Sequence, residues 1–271
     1  MTYKLGLIGT GSQGTRLLNA TKEIEGARVE IVSNTRGAFQ NYICKDWSDV
    51  LHSGISGLII AADPALNDKI LQTANFLQIP VLLEKPAGLY LHDVQKMSKY
   101  TIPILVDYTH LFSPAYQKMK SELTAPISSI HSLGYNYGPF REFSALYDYA
   151  PHDLAMCLDL MGDLDIVDQS VKNGKSGGNL YNISLKNKDG YANILCGNGG
   201  AIKQRKLIVK CTDGNSFLYN GDSNADYKKP LQNVVSHFIE ILDGKECKVP
   251  ISLTLKIHEI LYKLGARYDQ G

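Results

Sequence analysis

The sequence predicts an α/β protein, a doubly wound parallel sheet followed by a second domain built on an antiparallel sheet. Three observations carry this reading. Over the first ~110 residues, short β-rich runs alternate with helical patterns, as in a parallel sheet with helices on both faces. From about residue 113 the runs lengthen and are separated by turn signals such as Lys188-Asp189-Gly190 and Asp213-Gly214-Asn215, as in hairpins. The 271 residues, at ~150 per domain, make about 1.8 domains, enough to bury a core without disulfides or metals. We therefore place the domains at 1–112 and 113–271.

Each element follows from local pattern. In the first domain, short β-rich runs at 5–8, 29–33, 58–61, 81–83 and 104–107 read as strands, 58–61 being wholly apolar. Helices are expected at 13–24, where Leu17, Leu18 and Thr21 share a face, and at 47–52, 66–77 and 91–100. In the second domain, strands are expected at 127–137, 166–172, 180–186, 191–196 and 206–212. Proline is tolerated in the first turn of a helix, so one helix is placed at 151–161. Two more close the chain at 231–242 and 252–268, the last of them able to pack back on the first domain.

Composition narrows the function classes. Lys+Arg is 28 and Asp+Glu 27, a formal net charge of +1, which excludes a strongly basic nucleic-acid binder on bulk electrostatics. No apolar run reaches the ~18 residues of a membrane helix. The five cysteines are odd in number and form no C-x-x-C pair, which argues against a disulfide framework and a zinc cluster, so no metal is expected. Residues 3–8 run straight into Gly9 with no leader pattern, and with reduced thiols this gives the expectation of a cytoplasmic protein.

Gly9-Thr10-Gly11-Ser12-Gln13-Gly14 fits G-x-G-x-x-G. It follows an expected strand and opens an expected helix, the context that gives the motif meaning as a Rossmann dinucleotide fingerprint. Gly9 permits the tight turn, Gly11 lets a pyrophosphate approach the backbone, and Gly14 lets helix and strand pack closely. Ser12 and Gln13 lie where the first-turn N–H groups meet the phosphates. The second strand ends in Ser33-Asn34-Thr35-Arg36, with no carboxylate to hold a ribose 2′-hydroxyl or repel a 2′-phosphate. Ser33 and Thr35 can donate hydrogen bonds and Arg36 can pair with phosphate, so NADP(H) is preferred and NAD(H) remains possible. The competing reading of Arg36 is a solvated loop residue. Ala62 and Glu84, at the ends of two further strands, complete the candidate cofactor contacts.

Three residues offer proton chemistry. Glu84-Lys85-Pro86 ends a strand, and strand ends at the carboxyl edge face the ligand crevice. A lysine there can hydrogen-bond a substrate hydroxyl and stabilise an alkoxide; the alternative is a surface lysine. Asp148 and His152 stand four apart at a helix start. The imidazole suits proton transfer near neutral pH, and Asp148 either orients it, binds substrate, or caps the helix. His110 and Tyr108 follow the last strand of the first domain, where His110 either lines a substrate pocket or is structural at the junction. Tyr149 flanks the Asp148–His152 segment. Tyr116 and Lys120 fit a Tyr-x-x-x-Lys pair, but with the wrong glycine spacing for short-chain dehydrogenases, so the match reads as chance.

Taken in order, Gly9/Gly11/Gly14, Glu84-Lys85-Pro86 and Asp148-x-x-x-His152 resemble the Gfo/Idh/MocA oxidoreductases, and residues 106–116 resemble the segment by which that family crosses into its second domain. The resemblance implies an N-terminal Rossmann domain and a C-terminal α+β domain with an open, mostly antiparallel sheet. It implies that Lys85 is the catalytic or substrate-positioning lysine and that Asp148 and His152 are the substrate-site pair. It also implies a homodimer or homotetramer built through the C-terminal sheet. Two positions depart from the pattern. Ser144 stands where the family often has glycine, and Ala155 where an aspartate commonly follows the histidine, with Asp153 adjacent to His152 instead.

The expected function is NAD(P)-dependent hydride transfer between the cofactor and a sugar, polyol or nucleotide-sugar hydroxyl or carbonyl. Two other classes stay open: a non-catalytic dinucleotide- or sugar-binding regulator, and a reductase of a non-sugar substrate. Tyrosine is unusually frequent, 16 against 7 Phe and 1 Trp. A phenol ring suits the apolar face and polar edge of a sugar, and it also suits half-buried strands. No nucleic-acid or membrane partner is expected.

Overall fold

The computed structural model describes residues 2–33, 42–221 and 228–266. Its strands are β1 (Tyr3–Ile8), β2 (Ala27–Ser33), β3 (Ile43–Lys45), β4 (Gly57–Ile60), β5 (Val81–Glu84) and β6 (Ile104–Asp107), then β7 (Ile127–Tyr137), β8 (Asp165–Asn173), β9 (Asn179–Lys186), β10 (Tyr191–Gly197), β11 (Gly199–Cys211) and β12 (Ser216–Asn220). The helices are α1 (Ser12–Thr21), α2 (Trp47–Leu51), α3 (Asn67–Phe76), α4 (Leu91–Met97), α5 (Pro114–Ser121), α6 (Ala145–Met161), α7 (Lys228–Leu242) and α8 (Ile251–Ala266). No helix among the described residues is long and apolar enough to cross a membrane.

The chain forms two compact units, Met1–Asp107 with Leu231–Leu255, and Tyr108–Pro230 with Lys256–Gly271. The division therefore differs from a single cut near residue 112, and the segment that returns to the first unit is the penultimate helix as well as the start of the last one. The reason is packing. Helix α7 is amphipathic, and Phe238 is fully buried, its ring so close to Gly57 of β4 that a Cβ there would stand 3.0 Å away.

In the first unit, six parallel strands lie in the order β3-β2-β1-β4-β5-β6. Strands β4 and β6 are buried throughout, as expected of strands covered on both faces. On α1, Leu17, Leu18 and Thr21 are all buried, the face expected from the sequence.

The second unit is a six-stranded sheet in the order β12-β11-β7-β10-β9-β8. Its pairings are antiparallel except β7 with β10, which run parallel in the middle of the sheet. It is thus mostly antiparallel, and together with the first sheet it makes the α/β class that the sequence predicts. Helix α6 packs on β7 and β10. It begins at Ala145 rather than near Pro151, because Ser144 caps it by accepting from the Leu146 N–H at 3.2 Å, while Pro151 sits inside and removes a single donor from the ladder.

Candidate functional site

The first unit gathers its candidate residues at the carboxyl ends of the parallel strands. Gly9 follows β1 with φ +93°, the left-handed region that glycine tolerates. Its N–H donates to the Ser33 carbonyl at 3.1 Å, tying the turn to the end of β2. A Cβ on Gly9 would overlap the backbone between Ala61 and Ala62, and one on Gly14 would overlap the Gly9 carbonyl oxygen. Gly11 is the opposite case, since nothing lies within 4 Å of where its Cβ would stand. Gly11 also N-caps α1 without a side-chain hydrogen bond, and the first turn holds no acidic residue. The N–H groups of Ser12, Gln13 and Gly14 in that turn lack intrahelical partners by geometry, and the helix dipole adds partial positive charge. The structure thus brings Gly9, Gly11, Ser12, Gln13, Gly14, Ser33 and Ala62 to one edge. Two glycines are closed by backbone and one opens onto space that a pyrophosphate can fill. Asn34, Thr35 and Arg36 lie outside the described residues.

Glu84 ends β5 and Lys85 follows it at the same sheet edge, both half-buried, and the Lys85–Pro86 peptide bond is cis. The loop is held from behind by Asn67, which the sequence reading missed. This residue opens α3, is 2 % exposed, and donates from Nδ2 to the Ala87 carbonyl at 2.9 Å. An asparagine at a helix start reads as a cap, which hides its longer-range use.

The second unit carries the other candidates on α6 and on the 3-10 turn Thr109–Phe112. Asp148 and His152 are one turn apart and so share a helix face. Asp148 does not cap the helix, a role Ser144 fills; it lies in the first turn, where the dipole favours a carboxylate, and faces the Arg141 guanidinium at 3.5 Å. His152 is half-buried. Its ring stands perpendicular to that of His110, centroids 5.0 Å apart, so the structure brings these two together. His110 in turn meets the Tyr219 hydroxyl at 2.8 Å from Nδ1.

The tyrosines proposed for substrate are mainly core residues. Tyr108 is 1 % exposed, and Tyr149 is 8 % exposed with its hydroxyl donating to the Gly138 carbonyl. Burial, with the Asp148 charge beside it, pushes the Tyr149 phenol up to about 12. Tyr116 and Lys120 both bind Asp159 of α6, the phenol at 2.7 Å and the ammonium at 2.8 Å, which gives the pair a structural use. Asp153, next to His152, points into the unit and pairs with Arg205 at 2.7 Å. Cys157 and Cys196 are buried with raised thiols, burial being the main cause. Among the described residues, no cluster of three or more His, Cys, Asp or Glu could hold a metal.

Solved structures of other proteins share this fold. A provisional oxidoreductase from Magnetospirillum magnetotacticum MS-1 matches with a TM-score of 0.81 at 24 % identity, over 96 % of this chain and 99 % of that one. The scyllo-inositol dehydrogenase of Lactobacillus casei, with bound NAD(H) and scyllo-inositol, matches with a TM-score of 0.82 at 14 % identity over 97 % and 95 %. GenD2 from gentamicin A biosynthesis, in complex with NAD, matches with a TM-score of 0.84 at 12 % identity over 96 % and 92 %. No family model and no curated protein matches the sequence. The resemblance to the Gfo/Idh/MocA oxidoreductases therefore holds at the level of the fold.

Proposed function

We propose that the chain is a nicotinamide-dinucleotide-dependent oxidoreductase acting on a secondary hydroxyl or carbonyl of a sugar or polyol. The observation that carries this is the contrast among the three glycines. Gly9 and Gly14 have no room for a side chain, while Gly11 leaves open the space beside the first turn of α1. The substrate class draws support from the Asp148–His152 pair and from the inositol-bound dehydrogenase of the same fold.

The dinucleotide supplies the hydride chemistry when bound. Gly11, Ser12, Gln13 and Gly14 hold its phosphates through backbone N–H groups. Ser33, with Asn34, Thr35 and Arg36 beyond it, accommodates the ribose, and the lack of a carboxylate at this strand end supports NADP(H), although the two liganded neighbours carry NAD. In oxidation, His152 takes the hydroxyl proton as general base. Lys85 donates to the oxygen on which negative charge develops. Asp148 holds a neighbouring substrate hydroxyl. In reduction His152 returns the proton. The second sheet carries exposed Val167, Val171, Tyr191, Ile202 and Leu218, which suits assembly of a homodimer or homotetramer through it.

The test is a panel of sugars and polyols with NADP⁺ and NAD⁺, read by absorbance of the reduced cofactor, with calorimetric titration of both cofactors. Turnover that Lys85→Ala and His152→Ala each reduce by at least ~10²-fold, in folded protein, is expected. Failure of both cofactors to bind, or near-normal turnover in both variants, overturns the assignment.

A further inference from the structure

A tyrosine remote in sequence stands behind the proposed proton acceptor. Tyr219 lies on β12 and is 2 % exposed, and its hydroxyl is 2.8 Å from Nδ1 of His110, 109 residues earlier. The His110 ring stands at 86° to the His152 ring, centroids 5.0 Å apart. Tyr219 is itself wedged edge-on between His110 and Tyr116, at 5.9 and 5.6 Å. Gly221 closes the arrangement. A Cβ there would meet Arg205 Cγ at 2.7 Å, the Tyr219 hydroxyl at 2.9 Å and His110 Cε1 at 3.2 Å, so these three side chains converge on one glycine.

We propose that Tyr219 is a positioning residue for His152, acting through His110, in the reaction proposed above and resting on that reading. An imidazole nitrogen is a stronger acceptor than a phenol oxygen, so Tyr219 donates and Nδ1 accepts. The proton of neutral His110 then sits on Nε2. Donation to Nδ1 stabilises the neutral ring, because a proton on Nδ1 would break it. The neighbouring carboxylates of α6 each meet a cation. On α6, Asp153 is matched by Arg205 of β11, and Asp159 by Lys120 and Tyr116 of α5. Asp148, on the His152 face, is met by Arg141 at 3.5 Å. The His110 ring, held from Nδ1 by Tyr219, sets the wall against which His152 is held.

The experiment is nitrogen-15 spectroscopy of the ring nitrogens in the cofactor-free protein, assigned with His152→Asn, together with kinetics on wild type and Tyr219→Phe. Wild-type His110 is expected to show a single neutral tautomer protonated on Nε2 at neutral pH, and Tyr219→Phe to show both tautomers. Loss of one positioning hydrogen bond should lower kcat about ten-fold and leave KM within about two-fold. If Tyr219→Phe does not fold, the wild-type tautomer and His110→Gln carry the test, with the same kcat loss expected. A proton on Nδ1 in wild type, ring signals unchanged in Tyr219→Phe, or unchanged kcat overturns the inference. Wild type without turnover on any substrate overturns the oxidoreductase reading itself, which the spectra do not depend on.

Discussion

Arg205 and Asp153 form a buried ion pair, with Nη1 2.7 Å from Oδ2 and side chains 10 % and 0 % exposed. Ser132 donates to the other carboxylate oxygen at 2.6 Å. Burial works against the guanidinium charge, but Asp153 outweighs it and holds the Arg205 pKa above its usual value. Gly134 leaves room for the pair, since a Cβ there would overlap both partners. The pair anchors α6 to β7 and β11 at the residue next to His152.

Removing one partner strands the other charge in the core. Asp153→Ala should cost about 3–5 kcal/mol in denaturant unfolding, whereas the double change Asp153→Leu with Arg205→Met should recover most of that. A double variant no more stable than Asp153→Ala would show that the pair supplies more than charge compensation.

The glycines of the fingerprint should separate by readout. Gly11 has φ −63° and free space, so Gly11→Ala should keep the melting temperature while weakening dinucleotide binding at least ten-fold, because the methyl occupies the phosphate approach. Gly14→Ala forces helix and turn apart and should lower stability by about 1–3 kcal/mol. Calorimetry and thermal unfolding of the two variants check this, and equal effects on both measures in both would remove the distinction.

Glu240 on α7 gives the first unit a pH dependence. Its carboxyl accepts from His237 at 2.9 Å and from Lys245 at 3.1 Å, and these hydrogen bonds, His237 first, hold its pKa down at about 2 against an ordinary 4.5. A carboxylate with a depressed folded pKa adds stability that is complete above about 4.5 and is lost as pH falls toward 2. Stability of Glu240→Gln should therefore fall less steeply than wild type over that window and differ most from it near neutrality. Parallel unfolding curves at each pH would count against it.

Much of the first unit is legible in sequence because its signals are local. The all-buried strands appear as mostly apolar runs, β4 entirely so and β6 up to Asp107, and the fingerprint carries its own turn chemistry. What stayed hidden depends on partners far along the chain. Strand β3 pairs over three residues only, and the parallel match of β7 with β10 has no local mark. The start of α6 was misplaced because Pro151 is the louder signal and Ser144 the true cap. The return of α7 to the first unit rests on Phe238 meeting Gly57, and the His110–Tyr219 contact spans 109 residues. In the candidate site, the glycines and the Asp148–His152 spacing could be read, while the residues that brace them could not.

Asn67 is the sharpest test of that bracing. Its Nδ2 reaches the Ala87 carbonyl at 2.9 Å, two residues beyond Lys85, in a buried position. Asn67→Ala leaves that carbonyl without its donor and should cost about 1–3 kcal/mol. Asn67→Asp is isosteric but sets a carboxylate against a carbonyl, so near neutral pH it should be the more destabilising of the two and should lower turnover more than cofactor affinity, since the displaced loop carries Lys85 and not the glycines. A protonated carboxyl can donate again. The Asp variant should therefore regain stability relative to the Ala variant as pH falls through the carboxylate range. Thermal unfolding of both variants against pH reads this directly, and a difference between them that does not change with pH would show that Asn67 fills space rather than holding the lysine loop.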